Sequence, residues 1–149
     1  MKTIASALAV LLAVVAMPSL ASEGPDVRMA PAPIHRLDNE SLQRGARTFV
    51  NYCLTCHTAK YMRYNRLTDI GLLEQDIRDN LILADAKIGD TMTIAMSAAD
   101  AKAWFGAAPP DLSVEARVRG ADWLYNYLNA FYRDPKSVTG WNNLVFHNV

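Results

Sequence analysis

The pentapeptide Cys53-Leu54-Thr55-Cys56-His57 holds both cysteines of this 149-residue sequence. Two thiols one helical turn apart can add to the two vinyl groups of one haem, and the residue that follows then places an imidazole under the iron as axial ligand. Two other chemistries share the spacing. A redox-active dithiol would need a strand before the motif and a helix after it, whereas the pattern around these residues runs the other way. A structural zinc site needs four ligands, and only His35 and His147 remain to join these three residues. The residues therefore favour covalent haem, with a thiol–disulfide site and zinc as the alternatives. An absorption spectrum after denaturation and solvent extraction separates them, because thioether-bound haem stays with the polypeptide.

Working back from the motif, Leu42, Gly45, Ala46, Phe49 and Cys53 recur at three- and four-residue steps. That period predicts a helix that ends at the cysteines, started by Asp38 or Asn39 as cap. Gly45 costs such a helix roughly 1 kcal/mol against alanine, so close approach of another helix is its expected use, with a merely tolerated glycine as the alternative. Pro25, Pro31 and Pro33 make the stretch from Glu23 to Pro33 an extended arm. Earlier still, Lys2, the apolar run Ile4 to Met17 and the Ser19-Leu20-Ala21 ending read as an export signal over residues 1–21, cleaved before Ser22. An uncleaved anchor is the alternative, although the run is shorter than the ~20 residues a spanning helix needs. Export agrees with haem attachment on the outer side of a bacterial membrane. The expected organisation is thus 1–21 signal peptide and 22–149 one haem domain. With 15 basic against 15 acidic side chains and 51% hydrophobic residues, the composition excludes both a nucleic-acid binder and a disordered chain.

Beyond the motif the pattern gives short helices and turns rather than strands. Leu72, Leu73, Ile77, Leu81 and Ala84 keep helical spacing opposite Glu74, Gln75, Asp76 and Arg78. Ser97 can cap a helix that Gly106 closes, Pro109 and Pro110 force a turn, Asp111 can cap the next helix, and Gly120 ends it. A last helix is expected from about Asp122 to Tyr132, stopped by Pro135. The fold class is mostly α: a single domain of short helices and loops, in which a bound haem would supply much of the core. Between Asp69 and Asp90 stand six acidic residues and two basic ones. This segment is either a solvated helix face or a surface that attracts a basic partner.

Several longer runs narrow the class. Ser41-Leu42-x-Arg44-Gly45, Tyr61-Met62-Arg63-Tyr64-Asn65-Arg66-Leu67, Gly89-Asp90-x-Met92, Trp104-Phe105-Gly106-Ala107-Ala108-Pro109-Pro110-Asp111-Leu112-Ser113, Arg117-x-Arg119-Gly120-x-Asp122-Trp123 and Thr139-Gly140-Trp141-Asn142-Asn143 occur in this order with the pentapeptide. Over roughly residues 36 to 149 the sequence resembles the bacterial cytochrome c1 family. The resemblance implies the haem c subunit of the ubiquinol–cytochrome c reductase (bc1) complex on the periplasmic face of the inner membrane. Its partners would be cytochrome b, the Rieske iron–sulfur protein as electron donor and a soluble cytochrome c as acceptor, with no substrate turned over on this subunit itself. Membrane association is implied for the full-length family member.

The resemblance also implies site residues. Cys53 and Cys56 would carry the haem and His57 would ligate its iron. Arg119 matches the family arginine that pairs with a propionate, with Arg117 as second choice, and Trp123 falls where the family has an aromatic beside that group. Pro110 would lie against the His57 side of the ring, where a backbone carbonyl can fix the imidazole tautomer. In the family the methionine ligand, a closing helix and a membrane anchor follow the Thr139 to Asn143 segment, so the sequence is expected to be C-terminally incomplete. Met62, Met92 and Met96 are then core fillers, and His147 is a remote substitute ligand. Two other functions stay open: a soluble periplasmic c-type carrier, and a dithiol oxidoreductase with Cys53 as nucleophile.

Overall fold

Asp38 starts the first helix, α1 (Asn39–Thr48), by accepting a hydrogen bond from the Ser41 amide at 2.9 Å. This satisfies one of the amides that a helix start leaves without a partner. In this computed structural model, which describes residues 27–83, 85–147 and 149, α1 does not stop at Thr48. It widens into a π-helical turn, Phe49–Cys53, where the Leu54 amide donates to the Phe49 carbonyl at 2.9 Å. The expected helix into the cysteines is present, and its last turn is wider than the three- and four-residue spacing implies. The export signal over 1–21, Pro25 in the arm, and Ala84 lie outside the described residues.

The described chain divides into two compact units. The larger, Met29–Leu128, carries the pentapeptide. Its core is Val50, Leu54, Ala59, Tyr64, Leu67, Ile77, Leu81 and Met92. These residues come from the π-turn, the pentapeptide itself, β1 (Ala59–Arg63), a 3-10 helix (Tyr64–Ile70), α2 (Glu74–Asn80) and β2 (Thr91–Met92). Burial of Leu54 fastens the pentapeptide to this core from within. Met92 fills the core as its softness suits, and Met62 is exposed. Then follow α3 (Ala98–Phe105), α4 (Glu115–Val118) and α5 (Ala121–Asn129). The Ser97 hydroxyl accepts from the Asp100 amide and donates to its carboxylate, while Gly106 closes α3 at φ 80°. The proline-bearing arm runs without helix or strand from Val27 to His35. It is fastened to α5 by a reciprocal pair between the Ala30 peptide and the Asn126 amide, and by the Ala32 amide donating to Asp122.

Of the described residues, Asn129–Val149 with Val27 and Arg28 form the smaller unit. Its strands β3 (Phe131–Arg133) and β4 (Trp141–Asn143) pair antiparallel, with Arg133 stacked over the Trp141 ring. Asn143 is fully buried and its side-chain oxygen accepts from the Val145 and Phe146 amides, which turns the chain out of β4.

The mostly helical class stands, with four corrections. Among the described residues there are two two-stranded sheets, β1–β2 and β3–β4, where only helices and turns were expected. The last helix ends at Asn129 rather than Tyr132, because Phe131 and Tyr132 are taken into the β3–β4 ladder. Asp111 does not cap the next helix, since α4 begins at Glu115 behind Val114 without a side-chain cap. Finally, nothing described stands within 4 Å of where a Gly45 side chain would begin, so the close helix approach expected there is not made by the described residues. No helix of the described residues is long and apolar enough to cross a membrane.

Candidate functional site

Two hydrogen bonds close the pentapeptide into one turn: the Cys56 amide and the His57 amide both donate to the Cys53 carbonyl, at 3.1 and 2.9 Å. The wide π-turn behind it and buried Leu54 inside it leave Cys53, Cys56 and His57 partly exposed on the same turn. Both cysteines are free thiols. Burial pushes the Cys53 thiol up from its ordinary value, opposite to the lowered thiol that an attacking dithiol uses. A helix precedes the motif and strand β1 follows it, the reverse of the redox arrangement. Among the described residues no group of three or more His, Cys, Asp or Glu side chains is placed to hold a metal ion, which a zinc site would need.

His57 is oriented from across the chain. Its Nδ1 lies 2.8 Å from the Pro110 carbonyl oxygen. A carbonyl can only accept, so the neutral ring carries its proton on Nδ1 and directs the lone pair of Nε2 elsewhere. This is the second-sphere arrangement by which proteins fix a ligating imidazole. The donor set fits a covalent haem: two free thiols one turn apart, and an imidazole with one nitrogen engaged and the other left for iron.

The turn that brings Pro110 to His57 is built around Asp111. Its carboxylate accepts the Thr58 hydroxyl at 2.5 Å, the Lys60 amide at 3.0 Å and the Ser113 amide at 2.9 Å. The Leu112 amide donates to the Thr58 carbonyl at 2.8 Å, and the Tyr61 amide donates to the Ser113 hydroxyl at 3.0 Å. Desolvation raises the Asp111 pKa, but hydrogen bonds from the Ser113 hydroxyl, the Thr58 hydroxyl and the Lys60 and Ser113 amides outweigh it and hold the carboxyl well below the usual range. What the ionised clamp adds to stability is therefore present above the ordinary aspartate pKa and is lost only as pH falls through the depressed one. Sequence reasoning missed Asp111 and Thr58 as members of the site. The legible signal was Asp111 two residues before Ser113, the spacing of an Asx turn, which reveals the local bond and not the distant ones.

Arg119 and Trp123 are brought together at consecutive turns. The Arg119 guanidinium lies over the Trp123 ring at 4.6 Å, and Trp123 stacks on Tyr127 at 5.0 Å with the rings 9° from parallel. The Arg119 Nε stands 3.7 Å from the Glu115 carboxylate. Stacking and the carboxylate order a guanidinium that is planar and permanently charged, the form suited to a carboxylate-bearing ligand. Arg117 is exposed on α4, and His147 belongs to the smaller unit.

The model of the cytochrome C1 family matches residues 30–149, which spans every element of this site. The chain belongs to the cytochrome c1 family. It is 56% identical over 140 residues to a protein of Nitrosomonas europaea named ammonia monooxygenase gamma subunit, a match covering 93% of this chain and 60% of that protein. It is 47% identical over 129 residues to the cytochrome c1 of Allochromatium vinosum, covering 86% of this chain and 53% of that protein. With the cytochrome c1 of Rhodospirillum rubrum the identity is 32% over 128 residues, covering 71% and 46%. The chain thus spans about half to three-fifths of the length of these relatives. Cytochrome c1 membership implies haem c, and the Cys53-x-x-Cys56-His57 motif is consistent with it.

Proposed function

We propose that this chain is the haem c electron-transfer subunit of a respiratory quinol–cytochrome c reductase, exported to the periplasmic face of the membrane. Cys53 and Cys56 would hold the haem by thioethers, His57 would ligate its iron through Nε2, and Arg119 beside Trp123 would pair with a propionate. When bound, the haem supplies a one-electron couple that accepts from the Rieske iron–sulfur protein and donates to a soluble cytochrome c. The polypeptide contributes attachment, ligand orientation and charge. The observation that carries this proposal is the His57 Nδ1 contact to Pro110 directly beside Cys53 and Cys56, in a chain of the cytochrome c1 family. Coexpression with a haem-attachment system should raise the polypeptide mass by one haem that resists solvent extraction. Replacing both cysteines with alanine should restore the unmodified mass. An unmodified mass for the unsubstituted protein would overturn the proposal. The name of the Nitrosomonas europaea relative favours a second assembly, in which the same haem chain accompanies an ammonia monooxygenase. Co-purification with cytochrome b and the Rieske protein, or with the monooxygenase instead, decides between them.

The acidic segment offers the docking surface for the acceptor. On α2, Glu74, Asp76 and Asp79 are exposed while Ile77 is buried. Arg78 pairs with Glu74 at 2.7 Å, so part of this charge is offset within the helix. Long-range attraction governs weak electron-transfer encounters more than buried area does, so neutralising the three residues acts on the association rate. In the complete protein the triple amide variant should slow electron transfer to a basic cytochrome c by about 2- to 10-fold at low salt, with a flatter ionic-strength dependence. An unchanged rate and slope would make this a solvated face only.

A further inference from the structure

We propose that Asp111 is a positioning residue for the His57 imidazole: by tying Thr58 and Lys60 to the Pro110–Ser113 turn, it holds the Pro110 carbonyl against Nδ1 and so sets the basicity of the ring. This rests on His57 being the iron ligand, as proposed above.

The latch sits one residue away from both partners of the contact it controls. Thr58 follows His57, and Asp111 follows Pro110. The two are joined by the 2.5 Å bond from the Thr58 hydroxyl to the Asp111 carboxylate. Proline has no amide hydrogen, so Pro110 cannot be drawn to the neighbouring segment by its own backbone donor. The side chain that follows does this instead, with the Lys60 amide as a second anchor and the Leu112–Thr58 backbone bond as a third. Hydrogen bonds to an ionised acceptor are stronger than neutral ones, and this carboxylate accepts from both sides of the seam. A helix-capping role does not compete, because α4 starts beyond Asp111 with Val114 as its cap. The Pro110 ring is exposed, so packing alone does not hold its carbonyl in place. Were the seam to open, Nδ1–H would exchange a fixed carbonyl for water, the imidazole would donate less strongly, and the ferric form would lose stabilisation.

The test uses the complete haem-bound protein and three variants, with the mass of attached haem measured in each. Asp111→Asn places an amide group where three donors now meet a carboxylate. Thr58→Val removes one latch bond at unchanged charge, and Thr58→Ser restores the hydroxyl. Asp111→Asn is expected to shift the ferrous-to-ferric ratio at fixed poise about tenfold toward ferrous, equal to 59 mV for one electron. Thr58→Val should shift it about threefold in the same direction and Thr58→Ser should return it to the unsubstituted value. Nitrogen-15 spectra of the reduced protein should show faster exchange of the His57 Nδ1 proton in the first two variants. A shift in Asp111→Asn with no change in Thr58→Val or in proton exchange would assign the effect to the lost charge alone and overturn the positioning role. A lowered melting temperature with unchanged potentials would make the latch purely structural and overturn it too. If Asp111→Asn does not fold, the Thr58 pair decides. Absence of covalent haem in the unsubstituted protein would sink the functional proposal instead, and is read separately by mass.

Discussion

In the complete haem-bound protein, His57→Ala is expected to keep haem on its two thioethers and to lose the low-spin absorption in both oxidation states. The thiols and the imidazole sit on one turn but do separate work. In the proposed reading attachment rests on Cys53 and Cys56, which the substitution leaves in place, whereas ligation rests on Nε2. His57 is held by the Pro110 carbonyl at 2.8 Å, and no neighbouring side chain of the pentapeptide can take over its role as a nitrogen ligand. Loss of a ligand to a metal exceeds the 10- to 100-fold losses typical of removing its hydrogen-bond partners, so the low-spin signal should vanish rather than weaken. Added imidazole should restore it in part by entering the space left by the side chain. Absorption and electron paramagnetic resonance spectra of the purified variant check both statements. A low-spin spectrum unchanged without imidazole would show that another group ligates the iron.

Ile77→Ala should lower stability by about 2–5 kcal/mol, the cost of emptying a well-packed aliphatic site. That is a large share of the 5–15 kcal/mol by which domains of this size are stable. Ile77 is 0% exposed and belongs to the cluster that also buries Leu54 and Met92. Because Leu54 lies inside the pentapeptide, the cavity opens in the same core cluster that anchors the Cys53 to His57 turn. Denaturant unfolding of the haem-bound protein should show a lower midpoint at unchanged slope. Asp76→Ala on the exposed side of the same helix should stay within about 0.5 kcal/mol. A loss below about 1 kcal/mol for Ile77→Ala would mean that this core relaxes around the missing atoms.

Sequence alone determined the features whose partners are close along the chain. The spacing of Cys53, Cys56 and His57 marks them as a candidate haem site, because the proposed attachment and ligation both depend on one helical turn. Asp38 and Ser97 were legible as caps and Gly106 as a stop, since each bonds or bends within four residues of itself. The mostly helical class followed from the same local periodicity. Tertiary structure decided everything that depends on segments meeting. Phe131 and Tyr132 continue a helical pattern, yet pairing with Asn143 and Asn142 makes them a strand, and that partner lies beyond a turn that periodicity does not see. Ala59 and Met92 pair across a long stretch of chain for the same reason. Asp111 shows the limit most clearly. As a residue after two prolines and before a helix it reads as a cap, and only the approach of Thr58 and Lys60 from a distant segment turns it into a clamp. A carboxylate accepts whichever donors reach it, so its identity is written in the sequence while its partners are chosen by the fold.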